Sequence, residues 1–170
     1  GAGLGSNVNV QLFNPPVHHY NGLHYRMNPP LGLPIMAAVL NHAGHHCEVV
    51  DLEALSVYPE QFVAAFAKQT DRWPDWIGFT ALSSSARGAK DCIQGLRIAG
   101  YEGQIVVGGV LATLSPGIPL EWGADLVVTG ECEGNLIELL ESGTRGIVKG
   151  KRASIETIPA PDWGCHNPPP

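Results

Sequence analysis

The chain has 170 residues, of which 44% are hydrophobic and 15% charged, and its formal net charge is −6. These values are typical of one globular domain with a buried sheet, and they exclude a disordered or fibrous chain. Since the longest basic cluster is Lys149–Arg152 and no signal peptide or bilayer-length apolar run is recognised, we expect a cytoplasmic protein that binds neither nucleic acid nor membrane.

Short apolar runs alternate with helical patterns along most of the chain. Residues 1–6 are interpreted as an expression scar, and the long stretch from Val17 to Asn28 as a functional loop. The predicted strands are Val8–Phe13, Cys47–Asp51, Asp75–Ala81, Gln104–Val107 and Asp125–Val128, with a small edge strand at Ile147–Val148. The predicted helices run from Pro29 to Gly44, from Pro59 to Lys68, from Ser84 or Ser85 to Gly100, from Pro119 to Trp122 and from Asn135 to Glu141.

This alternation predicts an α/β fold. We expect a doubly wound, flavodoxin-like or Rossmann-like parallel sheet of five strands in the order 2-1-3-4-5, with helices on both faces. That order puts the switch point between the first and third strands, so the loop after Phe13 and the turn after Ala81 should flank one crevice. Residues 7–153 form the predicted domain, and the proline-rich residues 154–170 a linker.

Glycine- and serine-rich turns directly follow three of the predicted strands. These turns are Leu82–Gly88, Gly108–Thr113 and Gly130–Gly134. Each alone is typical of a tight turn or a helix cap, but the carboxyl ends of parallel strands meet at one edge of a sheet. Small residues there let the backbone approach a large flat ligand, and their hydroxyl and N–H groups bind it without adding charge. The three turns therefore predict one binding edge.

The residues that could hold a metal or act in catalysis show no decisive pattern. The four cysteines lack zinc or iron–sulfur spacing, which predicts reduced thiols and no such site within this segment. His18 and His19 are predicted to be solvated, and they are the outside candidates for a metal ligand. Glu131 and Glu133 are predicted to bind a ligand or backbone amides, because no acid–base partner accompanies them.

Seven motifs, in the right order, resemble the B12-binding domain at the N-terminus of radical SAM enzymes. They are Pro29–Leu33 with Ala37–Leu40, Ala43-Gly44, Val49–Asp51, Gly78–Thr80, Val107–Val110, Gly123–Asp125 and Gly130-Glu131. The resemblance covers Val8 to Val148, and Ile158–Trp163 is similar to the linker that leads into the radical SAM barrel. It implies that cobalamin binds across the carboxyl edge with its nucleotide tail entering the domain, and a neutral lining of glycines and hydroxyls suits that ligand.

The resemblance also implies particular site residues. Thr80-Ala81-Leu82 stands where the family has its Ser-x-Leu element, and Gly108-Gly109 stands at its Gly-Gly element. We expect Gly109→Val to block binding and leave the fold intact. The implied cofactor-binding residues are Asn14, Pro15, Leu31, Gly32, Thr80, Ala81, Leu82, Ser83, Ser84, Gly108, Gly109, Val110, Thr113, Gly130, Glu131 and Glu133.

Two departures from related domains bear on the chemistry. The Asp-x-His-x-x-Gly motif, whose histidine ligates cobalt in methionine-synthase-like domains, is missing, and the stretch after the first strand begins Asn14-Pro15-Pro16. Members attached to radical SAM domains commonly lack that motif, so the absence fits the narrower family and leaves the lower axial ligand open. Cys132 stands where a glycine is usual.

The function that this resemblance implies belongs to a larger parent enzyme. The parent would be a B12-dependent radical SAM methyltransferase, whose barrel carries a [4Fe–4S] cluster and reduces S-adenosylmethionine, and whose methylcobalamin donates a methyl group. Because this segment has no CxxxCxxC, we expect it to bind cobalamin without catalysis and to pair with the barrel of the same chain. The alternative is a Rossmann-type nucleotide or nucleotide-sugar binding domain, for which Asp51 fits and Phe13–Pro16 lacks the glycine fingerprint. A signalling receiver is excluded, because its acidic positions hold Asn14-Pro15 and Thr80-Ala81.

Overall fold

The computed structural model describes residues 7–17 and 30–169. The predicted expression scar, His18, His19 and the start of the first predicted helix at Pro29 lie outside these residues. The strands β1 to β7 are Asn9–Asn14, His46–Asp51, Trp76–Thr80, Gln104–Gly108, Leu126–Thr129, Gly146–Lys149 and His166–Asn167. The helices α1 to α6 are Gly32–His42, Pro59–Ala67, Ala86–Ile98, Val110–Leu114, Gly117–Glu121 and Leu136–Glu141.

The strands form one parallel sheet in the order β6-β5-β4-β3-β1-β2-β7. The predicted order 2-1-3-4-5 is confirmed for β1 to β5. The predicted number of strands was too small, because the described residues place seven in the sheet. β6 is the predicted edge strand, whereas β7 lies inside the predicted linker and pairs with Val49 and Val50 of β2.

The face of the sheet covered by α2 to α5, here called the aromatic face, is filled by large side chains. Phe13 of β1 contacts the rings of Phe62 and Phe79, with centroids 4.8 and 5.3 Å away. The cluster continues through Phe66 and Tyr101, whose ring centroids are 5.6 Å apart. Aromatic side chains bury more apolar area than any others, so this face supplies much of the stability of the domain.

The opposite face, here called the cleft face, is covered by α1 and α6. Its core is mostly aliphatic and includes Leu12, Leu40, Val49 and Leu126, with Trp76 as the buried aromatic residue. The helix α1 lies against β1 and β2, whereas α6 shares its packing cluster with the residues of β5. The two helices therefore cover the sides of this face and leave the carboxyl ends of β3 and β4 open between them.

Local signals explain where the helix α3 begins. Ser85 is its N-cap residue, and its Oγ accepts a hydrogen bond from Leu82 N at 3.0 Å. The three serines that precede α3 form a 3-10 turn, Ser83–Ser85. Ser85 was one of the two predicted caps. No described side chain bonds to the first N–H groups of α3, so the Ser85 hydroxyl closes the turn that precedes the helix and does not cap the helix itself.

Candidate functional site

A cavity of about 220 Å³ opens on the cleft face at the carboxyl ends of the central strands. The strands β1, β3, β4 and β5 form its floor, and α1 and α6 form its walls. Ligands of doubly wound sheets bind at this edge, beside the switch point between β1 and β3. The lining residues are Leu12, Gly32, Leu33, Met36, Gly78, Phe79, Thr80, Val106, Gly108, Gly109, Val128, Gly130, Glu131, Cys132, Glu133 and Leu136.

Missing side chains create much of this space. Gly78 lies in the middle of β3, where an added Cβ would come within 2.6 Å of Leu12 Cδ2. Gly108 ends β4, and a Cβ there would meet no atom within 4 Å. A glycine inside a strand weakens the strand, and it often marks a close approach of a ligand or another backbone. The missing side chain of Gly78 thus makes room for Leu12, and the floor of the cavity is open at Gly108.

Gly109 has a different role from its neighbour. Its φ of +98° lies in the left-handed region, and an added Cβ would lie 2.8 Å from Thr80 Oγ1 and 3.0 Å from the N and O atoms of Ala81. Those atoms belong to a fixed turn, because Ala81 N donates to Gly108 O and Leu111 N donates to Ala81 O, each at 3.0 Å. A valine at position 109 would strain the backbone and displace this turn. This strain argues against the expectation that Gly109→Val leaves the fold intact, and we expect the variant to be less stable.

Thr113 joins two of the turns that face the cavity. Its hydroxyl donates to Gly109 O at 3.0 Å and accepts a hydrogen bond from Gly130 N at 2.9 Å. The helix α4, which carries Thr113, was not predicted from the sequence, and it begins directly after Gly109. The hydroxyl therefore fixes the distance between the turn after β4 and the turn after β5.

The turn after β5 brings acidic groups to the mouth of the cavity. Glu131 pairs with Arg152 at 2.9 Å, and both side chains are more than half exposed. Glu133 Oε2 is buried and has no hydrogen-bond partner among the described residues. Asn135 holds the turn in place, because its Oδ1 accepts from Lys151 N at 2.8 Å. Glu133, which lines the cavity, thus keeps a buried carboxylate oxygen without a partner among the described residues.

Cys132 lies between these two glutamates and lines the cavity. Burial, together with the charge of Glu133, raises the pKa of the Cys132 thiol to about 12. Burial likewise raises the pKa of Cys92 to about 12 and that of Cys47 above its usual range. These groups are neutral thiols at physiological pH, and a neutral thiol is a small apolar side chain with little reactivity. The predicted reduced cysteines are confirmed, since all four are free.

The structure brings only part of the predicted site together. The predicted residues that line the cavity are Gly32, Thr80, Gly108, Gly109, Gly130, Glu131 and Glu133. Others lie at the same edge without lining it; Asn14 Nδ2, for example, donates to Asp51 Oδ1 at 2.9 Å, and Leu31 precedes α1 as an exposed residue. The remaining predicted residues that do not line the cavity are Pro15, Ala81, Leu82, Ser83, Ser84, Val110 and Thr113. Contact of these residues with a cofactor stays a prediction.

The deep lining was missed by the sequence reasoning. Leu12, Val106 and Val128 alternate with buried residues of the other face, and such a pattern is typical of core. Gly78 was the available signal, because a lone glycine interrupts an otherwise apolar strand. The other lining residues that were not predicted are Leu33, Met36, Phe79, Cys132 and Leu136.

The described residues contain neither a cluster of metal ligands nor a membrane-spanning helix. In residues 7–17 and 30–169, no three His, Cys, Asp or Glu side chains are placed to hold a metal ion together. Within the same two ranges, every helix is too short or too polar to cross a membrane.

Comparisons with known proteins agree with this fold. The family model described as B12 binding domain matches residues 25–140. Two solved structures of the radical S-adenosylmethionine methyltransferase TsrM from Kitasatospora setae share the fold. The one with cobalamin and a [4Fe–4S] cluster bound is 20% identical over 91% of this chain, with a TM-score of 0.67. The one with tryptophan substrate and a SAM analogue bound is 22% identical over 81% of this chain, with a TM-score of 0.65.

This chain spans 26% of the length of those two structures. None of the curated proteins matches its sequence. The match to the family model extends over more than half of the chain, and its ends enclose α1, the strands β2 to β5 and the turns after β3, β4 and β5. The chain therefore belongs to the B12-binding domain family.

Proposed function

We propose that this B12-binding domain holds the nucleotide tail of cobalamin in the cavity and serves a radical SAM methyltransferase. The observation that carries the first part is the cavity itself, which enters the sheet at its carboxyl edge where Gly78 and Gly108 lack side chains. The Leu12 side chain packs over Gly78, whereas no described atom lies within 4 Å of a Cβ placed at Gly108. The tail is the narrow part of cobalamin, whereas the corrin is too wide to enter and must lie outside.

The residues of the cavity fit such a ligand. Its volume of about 220 Å³ is below the roughly 300–1,000 Å³ of pockets that enclose a whole ligand, so it suits one part of a large molecule. The floor is apolar, as a flat aromatic base requires. Glu133 Oε2 lacks a partner, and a ribose hydroxyl or a corrin amide N–H would supply the donor.

The chain's own residues bind and orient the cofactor in this proposal. When bound, cobalamin supplies a cobalt centre that carries a methyl group. Leu12, Val106 and Val128 exclude water from the tail. Glu133 accepts a hydrogen bond at the mouth, and Thr113 keeps the two neighbouring turns at a fixed distance.

The wider enzyme is proposed from two further observations. The segment Ile158–Trp163 resembles the linker to a radical SAM barrel, and the fold is shared with a methyltransferase of that class. In the proposed parent, a barrel in the same chain carries the [4Fe–4S] cluster and S-adenosylmethionine, and this domain binds without turning substrate over. The sequence that follows Pro170 tests this part, and a continuation without CxxxCxxC would contradict it.

The alternative of a Rossmann-type nucleotide or nucleotide-sugar site has less support. In such sites an acidic residue at the end of the second strand binds a ribose hydroxyl. Asp51 occupies that position but is buried, and its Oδ1 already accepts hydrogen bonds from Asn14 Nδ2 at 2.9 Å and Ala54 N at 3.0 Å. This carboxylate therefore holds the turn after β2.

Mixing the purified chain with hydroxocobalamin and desalting it tests cobalamin binding directly. We expect a retained corrin spectrum in proportion to protein. Parallel titrations with NAD and with a nucleotide sugar should leave both the thermal midpoint and the retained corrin unchanged. Loss of the corrin on desalting, or its displacement by a nucleotide, would contradict the proposal.

A further inference from the structure

We infer that the deep end of the cavity selects the tail base, accepting an apolar benzimidazole and discriminating against a purine that carries an exocyclic amine. This inference rests on the proposed function and deepens it. It concerns which cobamide the site prefers. Cobamides are the corrinoids that share the cobalt-containing corrin of cobalamin and differ in the base of the nucleotide tail. The residues that carry it are those of the cavity floor.

Among the described lining residues, polar side chains are confined to the mouth of the cavity. Thr80 is the last residue of β3, and Glu131 and Glu133 follow the end of β5. One or two positions further into the strands, the lining changes to Val106 and Val128. A base that passes the mouth therefore meets hydrocarbon.

The walls that face this floor are apolar as well. Leu33 and Met36 line the cavity from α1, and Leu136 lines it from α6. Cys132 adds a sulfur, but its thiol is neutral and is a weak hydrogen-bond acceptor. None of these side chains carries an oxygen or nitrogen.

The backbone of the floor is already paired. Gly78 of β3 stands between Leu12 of β1 and Val106 of β4 in the parallel ladder. The ladder uses the N–H and C=O groups of these strands along the plane of the sheet, which is perpendicular to the direction from which a ligand approaches. Among the described residues of the floor, no side chain offers an acceptor to an amine, and the backbone carbonyls are already engaged in the ladder.

This lack of acceptors gives the site its selectivity. The exocyclic amine of adenine has two N–H donors that are hydrogen-bonded in water and would lose their partners here. A buried donor without a partner weakens binding by about 10- to 100-fold. The two methyl groups of dimethylbenzimidazole gain affinity in the same place, because burying apolar surface is favourable.

The experiment compares two cobamides that share the corrin and differ only in the base. Equilibrium dialysis of the chain, with corrin absorbance as the readout, gives the dissociation constant of cobalamin and of the cobamide that carries adenine. We expect cobalamin to bind at least about tenfold more tightly. Equal affinities, or tighter binding of the adenine form, would overturn the inference and leave cobalamin binding intact. Failure of both to bind would overturn the proposed function as well.

A matched pair of variants places the selectivity in the floor. Val106→Thr adds a hydroxyl acceptor to the cavity at nearly constant volume, and it should bring the two affinities closer by tightening the adenine form. Val107→Thr makes the same change on the next residue, which packs on the aromatic face, and the ratio should not change. Val128→Thr repeats the test on β5, and an unchanged ratio in both floor variants would overturn the inference.

Discussion

The two faces of the sheet are built from the same strands but fill their space in opposite ways. On the aromatic face, Phe13 and Phe79 are almost fully buried and pack ring against ring. On the cleft face, the residues next to them in the chain are Leu12 and Gly78, which line the open cavity. Adjacent residues of one strand therefore have different roles: one contributes to the stability of the domain, and the other lines the binding cavity. A change on one face should alter unfolding, whereas its neighbour on the other face should alter affinity.

The comparison also explains why the cavity does not collapse. Interiors close-pack, and a void beside flexible core side chains costs stability. Here the cavity lies between two helices that are held apart by different strands, α1 over β1 and β2 and α6 beside β5. The rigid aromatic layer beneath the sheet keeps those strands in register. The cleft face can therefore remain open because the aromatic face is full.

The largest expected effect comes from removing one ring of the aromatic face. Phe62→Ala deletes a side chain that contacts Phe13 at 4.8 Å and Phe66 at 5.9 Å between ring centroids. We expect the free energy of unfolding to fall by about 3–5 kcal/mol, as for other buried aromatic truncations. Denaturant unfolding measures the loss. Cobalamin affinity of the folded fraction should not change, and a parallel loss of affinity would break the separation between the faces.

Gly108→Val is the opposite change, on the cleft face. The new side chain enters empty space and meets no protein atom near its Cβ, so the thermal midpoint should be kept. Because the valine occupies volume that the tail requires, we expect cobalamin to bind about 10- to 100-fold more weakly, the cost typical of overpacking. Equilibrium dialysis gives the affinity. Unchanged affinity would show that the tail does not use this cavity.

Two other glycines serve as controls for that variant. At Gly117 an added Cβ also meets nothing within 4 Å, and this residue does not line the cavity, so Gly117→Val should leave the affinity unchanged. Gly109→Val should lower the thermal midpoint, because its φ of +98° and its contacts with Thr80 and Ala81 oppose any side chain. Of these three glycine variants, only Gly108→Val should weaken cobalamin binding without lowering the thermal midpoint.

Much of the fold could be predicted from the sequence, because strand and turn signals there are local. The apolar runs located β1 to β6, and glycine- and serine-rich turns marked the ends of β3, β4 and β5. The helix α4 was missed because five residues are too few for a periodic pattern, and Gly109 was interpreted as part of a turn. The strand β7 was missed because only Val49 and Val50 of β2 define it, and a proline-rich sequence contains no sign of that pairing.

The site was predicted at its mouth and missed at its floor, for a physical reason. Glycines and hydroxyls after a strand have no role in a core, so they indicate a binding edge. Leu12 and Val106 are apolar residues of buried strands, and sequence periodicity cannot distinguish a core residue from a residue that lines an apolar cavity. The distinction depends on the gap between α1 and α6, which is a property of the folded chain.

Thr113 offers a smaller effect that sharpens the comparison at the mouth. Thr113→Val removes the hydroxyl that joins Gly109 O to Gly130 N and keeps the shape of the side chain. Because this residue is exposed, water replaces part of the loss, and we expect cobalamin to bind about 3- to 10-fold more weakly. Thr113→Ser keeps the hydroxyl and should restore the affinity. A serine variant as weak as the valine variant would assign the effect to the methyl group instead.

The smallest expected effect is that of histidine substitutions on the axial ligation of the cobalt. We predict that no histidine of this chain ligates the metal. Among the described residues, none of the cavity-lining side chains is a histidine. His42 Nδ1 contacts Ala38 O at 2.9 Å, and His45 Nε2 contacts Glu141 Oε1 at 3.1 Å, so both imidazoles are engaged elsewhere. A tail base that enters the cavity has left the metal, and the Asp-x-His-x-x-Gly motif that would replace it is missing. The cob(II)alamin form should therefore be base-off and His-off.

Electron paramagnetic resonance of that form tests the prediction, because a coordinated nitrogen splits each cobalt line into three. We expect no nitrogen splitting, and His18→Ala and His19→Ala should leave the spectrum unchanged. Splitting that disappears in either variant would make the loop after β1 part of the cofactor site. Splitting that survives both variants would come from the tail base, and the base would then be on the cobalt and not in the cavity. That last outcome would remove the reason for the open cleft face, since its floor would have no ligand to receive.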